Sequence, residues 1–513
     1  MASSASTGGA APPTVRTALP RPQVVLVASP GAGHLIPMAD LARRLVAHHG
    51  LAATLVTFTD HSAPGARSAV LPSLAAAGVA TAALPAVPLD DLPGDARIET
   101  VLFELIRRSI PHLRAQLRDI VSSTAPLAAL VPDLFCAAML PLAAEFGAPG
   151  CIFFPSNLSP LAVMRRAVEL NEGAAAAGEY RDLPDPLQLS GGVSLRRSDL
   201  PDGFRDSNEP VFAHLLDEGR RYRAAAGFLV NTFYEMEPAN VEDFKRAAEQ
   251  GSFPPVYPVG PFVRSSSDED GASACIEWLD RQPTGSVVYV SFGSAGALSV
   301  EQTAELAAGL EATGHRFLWV VRMPSRDGKT STMGTSHGEE DDPLAWLPEG
   351  FLERTSGRGL AVASWAPQVR VLSHPATAAF VSHCGWNSTL ESVASGVPMV
   401  AWPLHAEQRM NAAVLSEHAG VALRPATRGD GFVAREEVAA AVRELMEGAE
   451  KGRAVRRRTG DLRQAADRAW APEGSSRRAL EEVAGKWKAA ALAKAQDIVA
   501  HVLVVPGRSL CHA

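Results

Sequence analysis

Cysteine is scarce in this chain of 513 residues: there are five, Cys136, Cys151, Cys275, Cys384 and Cys511, an odd number with neither CxxC nor Cys/His spacing. This excludes a disulfide framework and a structural zinc site, and it fits a reducing compartment, so the cytoplasm is the expected location. A basic excess is lacking too, since 48 Lys and Arg stand against 56 Asp and Glu, a formal net charge of −8. No groove for nucleic acid is to be expected, and small molecules become the partners to look for. No apolar run reaches the roughly 18 residues of a membrane helix, and the leader MASSASTGGAAPPTVRTALP lacks the apolar core of a signal peptide. Its Ser/Ala-rich, acid-poor composition also suits a plastid transit peptide, but a disordered extension over residues 1–20 is the simpler expectation.

What is present is the composition of a globular protein, 46% hydrophobic and 20% charged, in a chain long enough for two domains with separate cores. Val24 to Ala28 reads as a buried strand, followed by the turn Ser29-Pro30-Gly31-Ala32-Gly33 and a helix from His34 with Leu35, Met38, Leu41 and Leu45 on one face. A dinucleotide-binding oxidoreductase would share this pattern, but the third glycine of GxGxxG falls at Ile36, and no GK[ST] follows for a P-loop. His34 stands at the mouth of the turn, where a helix N-terminus is expected to disfavour the imidazolium and keep the ring neutral and basic. The apolar strand Leu127 to Val131 ends at Pro132-Asp133, and an acid at that end of a parallel strand lies on the functional edge of its sheet. Taken alone, Asp133 reads first as a cap for the segment LFCAAMLPLAAEFG.

The most informative stretch runs from Trp365 to Gln408, WAPQVRVLSHPATAAFVSHCGWNSTLESVASGVPMVAWPLHAEQ. Ala378 to Val381 has the length and composition of a buried strand, and Ser382, His383, Cys384, Gly385, Trp386, Asn387 and Ser388 come directly after it. Asn387 and Ser388 then open a helix that stops at Gly396. A helix start carries unpaired N–H groups and a partial positive charge, so a diphosphate can settle there. Trp365 offers a flat face for a base, Glu391 a carboxylate for ribose hydroxyls, and Glu407 with Gln408 further polar groups after the strand Met399 to Trp402. Each of these residues alone has a bland use as core filler or solvated charge; their order together points to a nucleotide sugar.

This stretch resembles, almost residue for residue, the signature box of plant secondary-product UDP-glycosyltransferases. The likeness runs from about Pro22 to about Lys488, and FLVNTFYEMEP, PPVYPVGPFV, WLDRQPTGSVVYVSFGS and LPEGFLERT resemble the branch containing hydroquinone and monolignol glucosyltransferases. The resemblance implies an α/β GT-B fold of two Rossmann-like domains facing a cleft, an inverting transfer from UDP-glucose to a small phenol, and no metal or other cofactor. It further implies that Trp365, with Ala366 beside it, stacks the uracil, and that Gln368 and Glu391 hold the ribose. Ser294, His383, Asn387 and Ser388 would grip the diphosphate, and Trp386, Glu407 and Gln408 the glucose. His34 becomes the base and Asp133 its partner, which reverses the first reading of Asp133 as a cap, with Glu99, Phe135 and Met164 around the acceptor. Many family members carry Asp where this chain has Glu407. A binding protein without turnover is the alternative, disfavoured by the presence of both His34 and Asp133.

The expected organisation is an acceptor domain over 21–254, a Pro-rich linker over 255–264, a donor domain over 265–474, a returning helix over 475–490 and an atypical, poorly ordered tail over 491–513, in a monomer. Residues 172–200 read as variable loops over the pocket, and residues 326–342 as a mobile surface loop. Asp268-Glu269-Asp270 has the DxD spacing of metal-dependent transferases, but its Ser/Gly-rich context reads as solvated charge.

Overall fold

The computed structural model describes residues 21–59, 64–94, 96–123, 126–176, 182–189, 192–264, 273–325, 342–429, 431–448 and 450–504. The leader, the DxD patch and nearly all of the loop expected at 326–342 therefore lie outside the described residues.

The first half is built on β1 (Gln23–Val27), β2 (Ala52–Phe58), β3 (Ala80–Leu84) and β4 (Leu127–Pro132), all parallel, in the order β3-β2-β1-β4. A second group follows: β5 (Cys151–Phe154), a small hairpin of β6 (Leu187–Gln188) and β7 (Ser194–Leu195), then β8 (Gly227–Val230) and β9 (Val256–Pro258). The parallel bridges Leu130 to Gly150 and Asp133 to Phe153 set β5 beside β4, so β5-β8-β9 continues the same surface. β1, β4 and β5 are wholly buried, as their near-continuous Val, Leu and Phe require of parallel strands covered on both faces. Within the stretch expected to be linker, Val256–Pro258 is a strand paired with β8. Proline is tolerated there because β9 is an edge strand.

The second half has one six-stranded parallel sheet of β10 (Val287–Ser291), β11 (Arg316–Val321), β12 (Gly359–Ala363), β13 (Thr377–Ser382), β14 (Met399–Ala401) and β15 (Ala422–Leu423). Its order is β12-β11-β10-β13-β14-β15, so the chain winds outward from β10 in one direction and from β13 in the other. The first sheet reverses in the same way between β1 and β4. Loops diverge at such a reversal and leave a crevice at the carboxyl ends of the strands, where ligands bind in open α/β sheets.

The last helix, Ser475–Val504, places Leu480, Val483, Ala484, Trp487 and Ala491 in the core of the first sheet. It runs well beyond the expected end at 490. The start of the expected tail is docked: Ala491 is buried, and Lys494 Nζ donates to the carbonyls of Phe146 at 2.5 Å and Gly147 at 3.0 Å. Those carbonyls end a helix, where a cation is favoured.

Candidate functional site

At the first reversal, Val27 of β1 pairs with Pro132 of β4, and the residues that follow meet over the strand ends. His34 lies in the first turn of the helix Ala32–His49, and its Nδ1 is 2.5 Å from Asp133 Oδ2. Asp133 is fully buried, and its other oxygen accepts the Phe135 N–H at 3.0 Å, so one carboxylate both caps the short helix Leu134–Met139 and orients the imidazole. The two uses left open by the sequence are combined. Burial pulls the His34 pKa down, but the charge and hydrogen bond of Asp133, with the charge of Glu407, outweigh it and leave the pKa raised. This reverses the lowering expected from the helix N-terminus. Its physical cause is a full negative charge in contact with the ring, against the partial charge of a helix end. Bonding at Nδ1 leaves Nε2 as the ring nitrogen that Asp133 does not engage.

Phe135 packs against His34 with ring centroids 5.4 Å apart, and Phe103 and His214 extend the row at 5.7 Å and 5.5 Å. Glu99 is one turn before Phe103 on the helix Ile98–Ser123, on the same face. Met164 is nine-tenths buried or more, in the interior cluster with Val163 and Val168, so its side chain serves packing. Phe103 and His214 were missed because neither stands in a motif; only the aromatic at i+4 from Glu99 was a signal. Glu218, also missed, accepts the Ala137 N–H at 2.6 Å behind the Asp133 turn, and burial pushes its carboxyl up to about 7.

At the second reversal, Ser291 of β10 pairs with Ser382 of β13, which sets the Gly293-Ser294 turn beside the turn from His383 to Ser388. A Cβ on Gly293 or Gly385 would stand 2.6 Å or 2.4 Å from His383 Nε2, so the ring is walled by two residues that must lack side chains. Burial, with the charge of His405, lowers the His383 pKa to about 4 and keeps it neutral. The helix Trp386–Ser395 begins here with Gly385 at its N-cap and no side-chain cap, so its first N–H groups face the turn uncapped. Asn387 Nδ2 donates to the Gly33 carbonyl at 3.2 Å, which brings the two reversals together one residue from His34.

The remaining residues surround this turn. Trp365 is 63% exposed at the end of β12, and Ala366 behind it is buried. Gln368 Nε2 donates to Ser388 Oγ at 2.8 Å and to Glu391 Oε2 at 2.7 Å, and Arg264 approaches the other oxygen of Glu391 at 3.7 Å. Ser294 is exposed, and its carbonyl accepts from Arg322 at 2.6 Å while the Ser364 carbonyl accepts from the same guanidinium at 2.8 Å. Arg322, at the end of β11, thus ties the Ser294 turn to the loop of Trp365; its place on the functional edge was the signal overlooked. Trp386 differs from expectation: its indole is buried and donates to the Asn231 carbonyl at 2.7 Å, so its backbone N–H, not its ring, faces the turn. Gln408 is buried, with its amide oxygen taken by the Leu404 and His405 N–H groups at 2.9 Å and 3.1 Å and its Nε2 3.5 Å from His405 Nδ1. Glu407 is half-buried and near enough for its charge to act on His34.

A model of the family described as UDP-glucoronosyl and UDP-glucosyl transferase matches residues 265–456. The chain is 45% identical to hydroquinone glucosyltransferase of Rauvolfia serpentina over 91% of its own length and 98% of that protein. Among solved structures it is similar to UGT2 of Phytolacca americana complexed with UDP-2fluoro-glucose and pterostilbene, at a TM-score of 0.81 and 41% identity over 91% of this chain and 99% of that one. It is likewise similar to a UDP-glucosyltransferase of Polygonum tinctorium capable of glucosylating indoxyl, at a TM-score of 0.83 and 41% identity over 92% and 100%.

Proposed function

Because the chain belongs to the UDP-glucosyl and UDP-glucuronosyl transferase family, we propose that it transfers glucose from UDP-glucose to the hydroxyl of small phenols, giving β-glucosides. The observation that carries this reading is the His34–Asp133 pair at 2.5 Å beside Gly33, whose carbonyl is bonded by Asn387 of the uncapped helix turn. A base and a diphosphate cradle are thereby neighbours. The first half takes the acceptor and the second the donor.

A phenol has a pKa of about 10, so at neutral pH it attacks poorly until its proton is removed. Nε2 of His34 takes that proton, and Asp133 fixes the tautomer and stabilises the imidazolium, as the acid does in serine hydrolases. The phenolate displaces UDP at the anomeric carbon in one step, which inverts that centre. Negative charge grows on the leaving diphosphate, and the N–H groups at the start of Trp386–Ser395, with Asn387, Ser388, Ser294 and the neutral His383, meet it there. Trp365 stacks the uracil, Gln368 and Glu391 take the ribose, and Glu407 with Gln408 takes the glucose. In this reading the protein's own donors serve where other transferases use a metal ion, and excess chelator should leave turnover unchanged. Four buried free thiols, Cys136, Cys151, Cys275 and Cys384, suit the proposed reducing cytoplasm.

Incubation of the purified protein with UDP-glucose and hydroquinone tests the reading. UDP release with a product heavier by one hexosyl unit is expected; donor binding with no product would leave a binding protein instead.

A further inference from the structure

The loop that carries Glu407 and Gln408 is held from the opposite side of the cleft. Ala406, immediately before them, has φ of 54°, the left-handed region that residues with a side chain rarely occupy. Such a backbone persists only where its surroundings enforce it. Asp202, in the short helix Asp202–Phe204 of the first half, supplies that enforcement. Its Oδ2 accepts the Ala406 N–H at 2.7 Å, its Oδ1 accepts from Arg409 Nη1 at 2.9 Å, and its own N–H reaches the Ala406 carbonyl at 3.4 Å. The carboxylate thus grips the peptide before Ala406 and the helix after Gln408. Arg205 stands 3.3 Å from Oδ1, and a second bond across the halves joins Arg424 to Asp199 at 2.8 Å. Inside the loop Gln408 spends its oxygen on the Leu404 and His405 N–H groups and its Nε2 lies 3.5 Å from His405 Nδ1, so its amide is held by the same fold that Asp202 secures.

We propose that Asp202 is a positioning residue for donor-sugar recognition: by clamping Ala406 from the acceptor half, it sets Glu407 and Gln408 and so determines which hexose is accepted. The inference rests on the reading above, in which those two residues face the glucose. Its consequence is that sugar discrimination belongs to neither half alone. Docking of the segment Asp199–Arg205 against the second half completes it, whereas the turn at His383 to Ser388 meets the first half elsewhere, at Asn231 and Gly33.

The test compares UDP, which has no sugar, with UDP-glucose and UDP-galactose. For Asp202→Ala, calorimetric affinity for UDP should stay within about twofold. Its kcat/KM for UDP-glucose should fall about ten- to a hundredfold, as for loss of charge-assisted hydrogen bonds, and the preference for glucose over galactose should shrink. Arg409→Ala removes one arm and leaves the Ala406 N–H bonded, so it should show a smaller loss of the same kind even if the first variant folds poorly. An unchanged glucose-to-galactose ratio in both variants, or a UDP affinity that falls in step with that for UDP-glucose, would overturn the proposal. Gln408→Ala separates the two levels of argument. If it lowers the sugar preference while both clamp variants keep it, the clamp is wrong; if it too leaves the preference intact, the sugar-site reading is wrong.

Discussion

His34 and His383 stand at the same kind of place in two sheets, each where a strand beside the chain reversal hands over to a helix, yet they are prepared for opposite tasks. His34 touches a buried carboxylate at 2.5 Å and lies within reach of Glu407, and its proton affinity is raised. His383 is walled by Gly293 and Gly385 and is driven down to about 4, by burial first and by His405 second. In the proposed reaction the first ring takes a proton and carries charge for a moment, and the second stays neutral beside the diphosphate. Position in the fold makes a histidine available, and the neighbour in contact decides what it does.

The largest effect that would sharpen this contrast is loss of the base. His34→Ala should lower kcat about 10²- to 10⁴-fold with hydroquinone while UDP affinity is unchanged. With trichlorophenol, already largely phenolate at neutral pH, the deficit should be much smaller. Equal deficits on both acceptors would mean that His34 orients the phenol without deprotonating it.

Next in size is Asp133→Asn, which keeps the shape but can hold the wrong tautomer, and should cost about a hundredfold. The active ring is unprotonated, so turnover falls as pH drops through the His34 pKa. Since that pKa is raised above 6.5, the acid limb of the native profile should bend above 6.5. Asparagine removes the charge that raises it, so the limb should move to lower pH. A limb that stays in place would show that Asp133 does not tune the base.

His383→Ala should raise the KM for UDP-glucose about tenfold, in keeping with one hydrogen bond to a charged group, and leave the acceptor KM alone. The native donor KM should be flat from roughly pH 5.5 to 8, because a ring with a pKa of about 4 does not titrate there. A donor KM that improves on acidification through the ordinary imidazole range would break the comparison. The smallest effect belongs to Phe135→Ala, where loss of an aromatic contact should raise the acceptor KM about three- to tenfold with the donor KM unmoved.

Both ends of this comparison were legible in the sequence for a local reason. Apolar strands bounded by Gly and Pro mark where a parallel sheet ends, and polar residues immediately past such an end lie on its functional edge, which exposed His34, Asp133 and the His383 turn. What depended on contacts between distant segments was hidden. The Asp202 clamp joins residues about two hundred positions apart, and the Trp386 indole is drawn inward by a carbonyl in the other half, at Asn231. The helix Glu450–Ala469 is hard to read from the sequence because arginines crowd the stripe of Val455, Thr459, Leu462 and Ala466 that it buries. The strand Val256–Pro258 was concealed by prolines that only an edge accepts.

The docking of the last helix has a bearing on biosynthesis. Leu480, Val483, Ala484 and Trp487 complete the core against which the very first strand packs. Chains emerge from the ribosome at roughly 5–20 residues per second, so the sheet bearing His34 waits about 20 to 70 seconds after β4 for this cover. The second sheet waits for a shorter stretch, since the latest residues in its core, Leu462 to Ala469, follow β10 more closely. During synthesis the first half is thus the part with exposed apolar surface for longest, and the part on which a chaperone would act.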